Sequence, residues 1–252
     1  MGFNMKDLFI QIDELKRKLD ERRPLPPEAV RNLKEVYRVE WTHHSNAIEG
    51  NTLTLHETKL VLEEGLTIGG KTLREHFEVI NHAEAIDYIE ELVEQKAPLT
   101  EQVIKDIHSL ILKNIDEKNR GKYRTINVRI AGSQHQPCHF LKVPEHMQEM
   151  VDWYNREENN LHPVDLAARL HFKLVYIHPF VDGNGRTARL LMNMVLMQKG
   201  FPPVILKSVP EKRIAYYEAL EKASIQGNLI PFIQLVAEES KESLLKYISV
   251  LE

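Results

Sequence analysis

Two apolar stripes of helical spacing flank a short break in this chain, and that arrangement limits the fold more than any other feature. Val164 to Tyr176 repeats apolar residues three and four apart, and Leu190, Leu191, Met194, Val195 and Met197 do so again. Between them, Pro179 and the run Gly183-Asn184-Gly185 interrupt the pattern. Gly200, ahead of Pro202 and Pro203, stops the second stripe. The segment predicts helix, turn, helix, with the second helix starting near Asn184. Its free N–H groups and positive dipole end favour an anion at the turn.

The residues at the break carry matching chemistry. His178 supplies an imidazole that takes a proton near neutral pH. Asp182 supplies a carboxylate able to hold a divalent cation. Gly183 and Gly185 let backbone N–H groups approach an anion closely. Arg186 and Arg189, three apart on one helical face, offer planar, forked donors to phosphate. Phe180 reads as an apolar anchor for the loop.

The string from His178 to Arg189 resembles the signature of the Fic family, His-Pro-Phe-x-Asp/Glu-Gly-Asn-Gly-Arg-x-x-Arg, at every fixed position. The resemblance extends to Gly121-Lys122-Tyr123-Arg124, to residues 128–137 and to most of residues 100–240. It implies a protein adenylyltransferase that moves AMP from ATP to a Ser, Thr or Tyr hydroxyl of a protein, itself included. His178 would then be the general base and Asp182 the holder of Mg²⁺ (or Mn²⁺). Gly183, Asn184 and Gly185 would form the anion hole, Arg186 would meet the β-phosphate and Arg189 the γ-phosphate.

A second motif lies upstream, Ser45-Asn46-Ala47-Ile48-Glu49-Gly50-Asn51. Ser45 and Glu49 share a helical face, and Gly50 is a natural stop. Glu49 therefore falls at a helix C-terminus, where the dipole disfavours a carboxylate, so a cationic partner elsewhere is expected. The segment resembles the Fic inhibitory motif, Ser/Thr-x-x-x-Glu-Gly/Asn. That resemblance implies an inhibitory helix at about residues 28–50, with Glu49 reaching Arg189 and keeping the γ-phosphate from seating. In some relatives the same glutamate orients a water that removes AMP, so de-AMPylation stands as a second activity.

Residues 127–132 and 138–143 alternate or carry β-branched side chains around the turn-rich Ser133-Gln134-His135-Gln136-Pro137, which predicts a short β-hairpin. It resembles the Fic flap, which implies a protein substrate bound along about residues 127–143 by strand pairing. Of the pair Tyr216 and Tyr217, Tyr217 aligns better with the tyrosine that the family places by adenine. Two turns on, where those relatives carry an asparagine, this chain has Ser224, with Asn228 nearby.

The remaining signals predict a mainly α chain. Helices are expected at residues 7–21, from the Pro-rich stretch 24–27 to 49, from Thr54, from 72 to about 96, from Pro98 and Thr100 to about 114, from Pro144 to about 158, and from Pro231 to the end. Thr54-Leu55-His56-Glu57 and Thr72-Leu73-Arg74-Glu75 read as capping boxes. The expected division is residues 1–98, an N-terminal helical region with the inhibitory helix, and residues 99–252, the Fic catalytic core with the C-terminal helices.

A net charge of −4 argues against a broad nucleic-acid footprint. The single cysteine, Cys138, argues against a disulfide framework and suits the cytoplasm. No apolar run reaches membrane-spanning length, and the start lacks a signal-peptide core. The distance from the core to the end leaves no room for a DNA-binding module. None of the 12 histidines forms a His-Glu-x-x-His pair. Apolar residues on the N-terminal helices point to a homo-oligomer. Two other readings stand beside AMP transfer: transfer of another nucleotide or phospho-group, and a nucleotide-sensing regulatory module without turnover.

Overall fold

A computed structural model describes residues 4–251. Among these residues the chain forms ten α-helices: α1 (Met5–Asp20), α2 (Pro27–Ile48), α3 (Leu55–Glu64), α4 (Leu73–Glu94), α5 (Glu101–Ile111), α6 (Val143–Glu157), α7 (Pro163–Ile177), α8 (Asn184–Gln198), α9 (Pro210–Gln226) and α10 (Ile230–Val250). A single 3₁₀ turn, Phe140–Lys142, precedes α6. Local sequence explains many of the boundaries. Thr54 and Thr72 each accept a hydrogen bond from the backbone three residues on, while Glu57 and Glu75 reach back to the cap N–H, completing both expected capping boxes. Proline opens α2, α6, α7, α9 and α10 within the first helical turn, where its missing N–H costs nothing.

The core is arranged around α8. Leu190, Leu191, Met192, Met194, Val195 and Leu196 are all fully buried, so apolar contact surrounds this helix on every side. It packs on α7, α4 and α5, and one end touches α2. An internal helix must satisfy its polar groups internally. Asn193 does so by exchanging two hydrogen bonds with the Val204 backbone, at 2.7 and 2.9 Å. On the outside, α10 lies on α7 and α9, and α1 returns along α10. α2 packs chiefly on α3 and α4. A smaller apolar cluster, Leu53, Val61 and Val79, fills the corner below α3.

The expected β-hairpin at residues 127–143 is not formed. No strand occurs among the described residues, and the two arms run past each other without a backbone ladder. Side chains replace it. Arg124 donates to the carbonyls of Ile126 and Cys138, and Phe140 N–H donates to the Asn127 side chain. At the tip, Ser133 Oγ and the Gln134 N–H both donate to Glu221 of α9, and His135 stacks on Tyr176. The first arm keeps no regular secondary structure, the second runs into the 3₁₀ turn Phe140–Lys142 and α6, and the tip is tied to helices.

Candidate active site

The turn between α7 and α8 is built from its own residues. Asn184 closes it by accepting from Phe180 N–H at 3.0 Å and donating to Phe180 O at 2.9 Å. Its side chain is thereby committed to the loop, leaving its backbone to face an anion. Phe180 is fully buried, as its reading as an anchor requires, and stacks on His108 at 3.6 Å. His108 in turn touches the Asp182 carbonyl and accepts from Gly121 N–H. Gly183 takes φ +78°, a conformation natural to glycine at this N-cap. Within α8 the Thr187 N–H bonds to Gly183 O, so the N–H groups before it form the open helix mouth.

His178 caps α7 in the left-handed conformation, φ 52°, which is uncommon for a residue with a Cβ. Arg124 holds it there. Its Nε donates to His178 O at 2.8 Å and its backbone N–H to Pro179 O at 2.9 Å. Nδ1 of His178 lies 3.3 Å from Val175 O, so that nitrogen carries the proton and Nε2 keeps its lone pair. Burial pushes the imidazole below its ordinary value, which favours the neutral, basic form.

Asp182 and Arg186 form one side of the site. Asp182 accepts from Gly183 N–H at 2.6 Å, from Arg74 Nη2 at 2.6 Å and from Arg186 Nη2 at 3.2 Å. Burial raises its carboxyl, but Arg186, the Gly183 N–H and Arg74 outweigh it and hold the group below the ordinary carboxylate value. Glu78 of α4 lies 3.4 Å from Arg186 Nη1 and also accepts from Arg74 and Asn51. The Nε and Nη1 of Arg186 are buried with no hydrogen-bond partner among the described residues. Buried donors of this kind call for an acceptor, and the nearest carboxylate oxygen to Nη1 is that of Glu78 at 3.4 Å. A divalent cation fits Asp182 only in a particular way. Among the described residues no three potential ligands gather, while the Asp182 side chain is 44 % exposed. An ion there would take most of its ligands from phosphate and water, as Mg²⁺ does.

The other side joins α2 to α8. Arg189 donates from Nη2 to Glu49 Oε1 and to Ser45 O, both at 2.7 Å, and from Nε to Ser45 Oγ at 3.0 Å. The cationic partner expected for Glu49 is therefore Arg189. The carboxylate also lies over the helix mouth: a Cβ added to Gly185 would overlap it and come within 3.1 Å of Arg189 Nη1. Gly50, at φ +101°, turns the chain away immediately afterwards. Arg213 Nε and Tyr217 Oη both donate to Ile48 O at 2.9 Å, docking the end of α2 on α9. Tyr217 is half exposed beside this point, whereas Tyr216 is buried and accepts from Arg189 Nη1.

Sequence reasoning placed His178, Asp182, the glycines, both arginines, Ser45 and Glu49, and the fold brings all of them together. It passed over Glu78, Arg74, His108, Arg213 and Tyr216. For Tyr216 a signal was present: Tyr216, Ala219 and Ala223 recur at helical spacing and form the buried face of α9. For Arg74 and Glu78 there was none, because an i,i+4 charge pair reads as a solvated helix face.

Residues 98–196 match the Fic/DOC family. The chain is 38 % identical over 243 residues to protein adenylyltransferase Fic of Nematostella vectensis, covering 94 % of this chain and 56 % of that protein. It is 40 % identical over 225 residues to protein adenylyltransferase fic-1 of Caenorhabditis elegans, covering 88 % and 43 %. It thus spans about half the length of the curated relatives it matches. Among solved structures, a Fic domain containing signaling protein from Bacteroides thetaiotaomicron superposes with a TM-score of 0.89 at 32 % identity, covering 96 % of each chain. A Fic-1 fragment from Caenorhabditis elegans gives 0.87 at 36 % identity, covering 97 % of this chain and 72 % of that one. With the signature turn, its supporting residues and these likenesses in agreement, the chain belongs to the Fic/DOC family.

Proposed function

We propose that this chain is an autoinhibited protein adenylyltransferase, moving AMP from ATP to a Ser, Thr or Tyr hydroxyl of a protein, itself included. One observation carries the reading. The Glu49 carboxylate lies against Gly185 and Arg189, where a glycine-lined helix mouth would take a phosphate. The names of the Nematostella and Caenorhabditis relatives support it.

In this reading His178 Nε2 takes the proton of the target hydroxyl as its oxygen attacks the α-phosphorus. The bond from that phosphorus to the bridging oxygen breaks, and pyrophosphate leaves with the electron pair. Backbone N–H groups of Gly183, Asn184 and Gly185 line the anion hole, that of Gly183 giving up its bond to Asp182 to hold a phosphate oxygen. Arg186 pairs with the β-phosphate, and Arg189 pairs with the γ-phosphate once Glu49 withdraws. Tyr217 stands beside the adenine. Asp182 would hold Mg²⁺ or Mn²⁺, which would supply charge neutralisation on the triphosphate. The arms of about residues 127–143, free of a ladder, offer backbone groups to the target segment. The reaction needs positioning and charge neutralisation more than covalent help, which is what this set of groups supplies.

Incubation with α-labelled ATP and Mg²⁺ tests the proposal. Glu49→Gly protein should label itself and proteins of a lysate far more than wild type does. Adding His178→Ala should abolish labelling while ATP still binds. A Glu49→Gly rate at or below wild type ends the reading. The place of Glu49 in the site, bonded to Arg189, supports removal of AMP as a second activity, with Glu49 orienting the water. Wild-type protein should then release AMP from labelled Glu49→Gly protein. Assembly into a homo-oligomer belongs to the same proposal and is read by light scattering. So does a reducing compartment, the cytoplasm, which the single cysteine supports.

A further inference from the structure

From the second terminal nitrogen of Arg189, the one that does not bond Glu49, runs a buried hydrogen-bonded series that the reaction above does not use. Arg189 Nη1 donates to Tyr216 Oη at 3.2 Å, and that oxygen lies 3.1 Å from His171 Nε2. The three side chains come from α8, α9 and α7, and none is more than 2 % exposed. Phe232, fully buried, packs under both rings.

The direction of the bonds follows from the chemistry. Burial, with the nearby Arg189 charge, holds His171 well below its ordinary value, so its imidazole is neutral. Burial raises the Tyr216 hydroxyl, so it keeps its proton. An arginine can only donate, so Tyr216 turns a lone pair toward Arg189; its own proton is then free to go to Nε2 of His171, whose Nδ1 is buried without a hydrogen-bond partner among the described residues. If the hydroxyl hydrogen pointed at the guanidinium instead, two donors would face each other.

The partners of Arg189 divide into two sets. Ser45 and Glu49 lie on or at the end of α2, a helix that meets α8 at one end. Tyr216 and His171 lie in the core. Whatever displaces Glu49 loosens the first set and leaves the second. We infer that Tyr216, oriented by His171, is a positioning residue that keeps Arg189 aimed at the γ-phosphate after Glu49 has left. This rests on the function proposed above. A guanidinium restrained on one side pairs with phosphate at less entropic cost than one free to swing.

Calorimetric titration with Mg²⁺-ATP and Mg²⁺-ADP tests the inference, using Glu49→Gly/His178→Ala protein so that no transfer occurs. Tyr216→Phe in that background removes only the hydroxyl and keeps the ring beside the guanidinium, whose Cζ is 5.8 Å from the ring centre. Its ATP dissociation constant should rise about tenfold, the size expected for one hydrogen bond to a charged group. Its ADP constant should stay within about twofold, because ADP lacks the γ-phosphate that Arg189 holds. His171→Leu should reproduce the ATP-selective loss at a smaller size. Equal losses for both nucleotides, or no loss in Tyr216→Phe, would overturn the role of Tyr216. Full ATP preference in His171→Leu would remove His171 from it. If the parent protein binds ATP no more tightly than ADP, the γ-phosphate assignment of Arg189 falls first and carries this inference with it.

Discussion

Arg186 and Arg189 stand one turn apart on α8 and are equally buried, yet they are neutralised in different ways. Arg186 meets Asp182 from the preceding turn and Glu78 from α4, and two of its nitrogens remain without hydrogen bonds among the described residues. Arg189 has every nitrogen engaged, and the carboxylate that neutralises it comes from the end of α2. The Arg186 end thus keeps donor capacity that its two carboxylates do not use up. The Arg189 end already holds an anion, supplied by the chain itself. A buried charge needs a partner at all times. For Arg189 that partner stands on a helix that touches α8 only at one end, as the proposed exchange for a ligand phosphate requires.

The difference is broken most directly at Glu49. Glu49→Gly should raise AMP transfer by about 100- to 1,000-fold, roughly 2.7–4 kcal/mol of transition-state stabilisation. Initial rates of self-labelling measure it. The glycine also uncovers the mouth at Gly185, so ATP affinity should rise with the rate.

A second test asks whether any carboxylate near an α8 arginine behaves as Glu49 does. Glu78→Gln should not activate. It should lower the thermal midpoint instead, because weakening the partner of a buried guanidinium costs about 1–3 kcal/mol. Activation by Glu78→Gln on the scale of Glu49→Gly would erase the distinction between the two ends.

The pH profile sharpens it further. Burial lowers His178 below 6.5, the Val175 carbonyl and Glu49 push it up, and Arg124 pushes it down. The neutral base therefore predominates above pH 6.5 and is lost as pH falls through the depressed value. In Glu49→Gly protein one raising influence is gone, so the acidic limb of the single-turnover rate should centre below pH 6.5. A limb centred at or above that value contradicts the assignment of His178 as the base.

The smallest effect is expected at the open end. Arg74→Ala removes a half-exposed ion pair from Asp182, and such pairs contribute about 0–1 kcal/mol. Mn²⁺ binding to the ATP complex, followed by electron paramagnetic resonance, should tighten by no more than about fivefold. A weaker affinity would mean that Arg74 supports the cation site instead of competing for it.

Most helices were legible because caps, prolines and apolar spacing are local. Thr54 and Thr72 opened helices where their capping boxes said they would, and Gly50 ended α2. The hairpin was misread because alternation and β-branching report only a local preference for extended backbone. A ladder also needs a partner arm in register, and here Arg124, Asn127 and Glu221 took up the bonding groups first. Tyr217 was singled out over Tyr216 by alignment, and the fold gives the two neighbours separate tasks although their rings touch, with centres 5.2 Å apart: Tyr216 bonds Arg189 and Tyr217 bonds the Ile48 carbonyl.

By itself, the order of residues determined a helix–turn–helix with an anion-seeking mouth, because glycine conformations, caps and dipoles depend on neighbours along the chain. Folding alone decided what fills that mouth. Glu49 and Arg189 are 140 residues apart, and no local rule brings them to 2.7 Å. Nor could any periodicity say that Glu78 would face Arg186, or that Tyr216 and His171 would follow Arg189 in a buried series. Charges buried by packing must find partners among whatever the neighbouring helices present, and that choice is made in three dimensions.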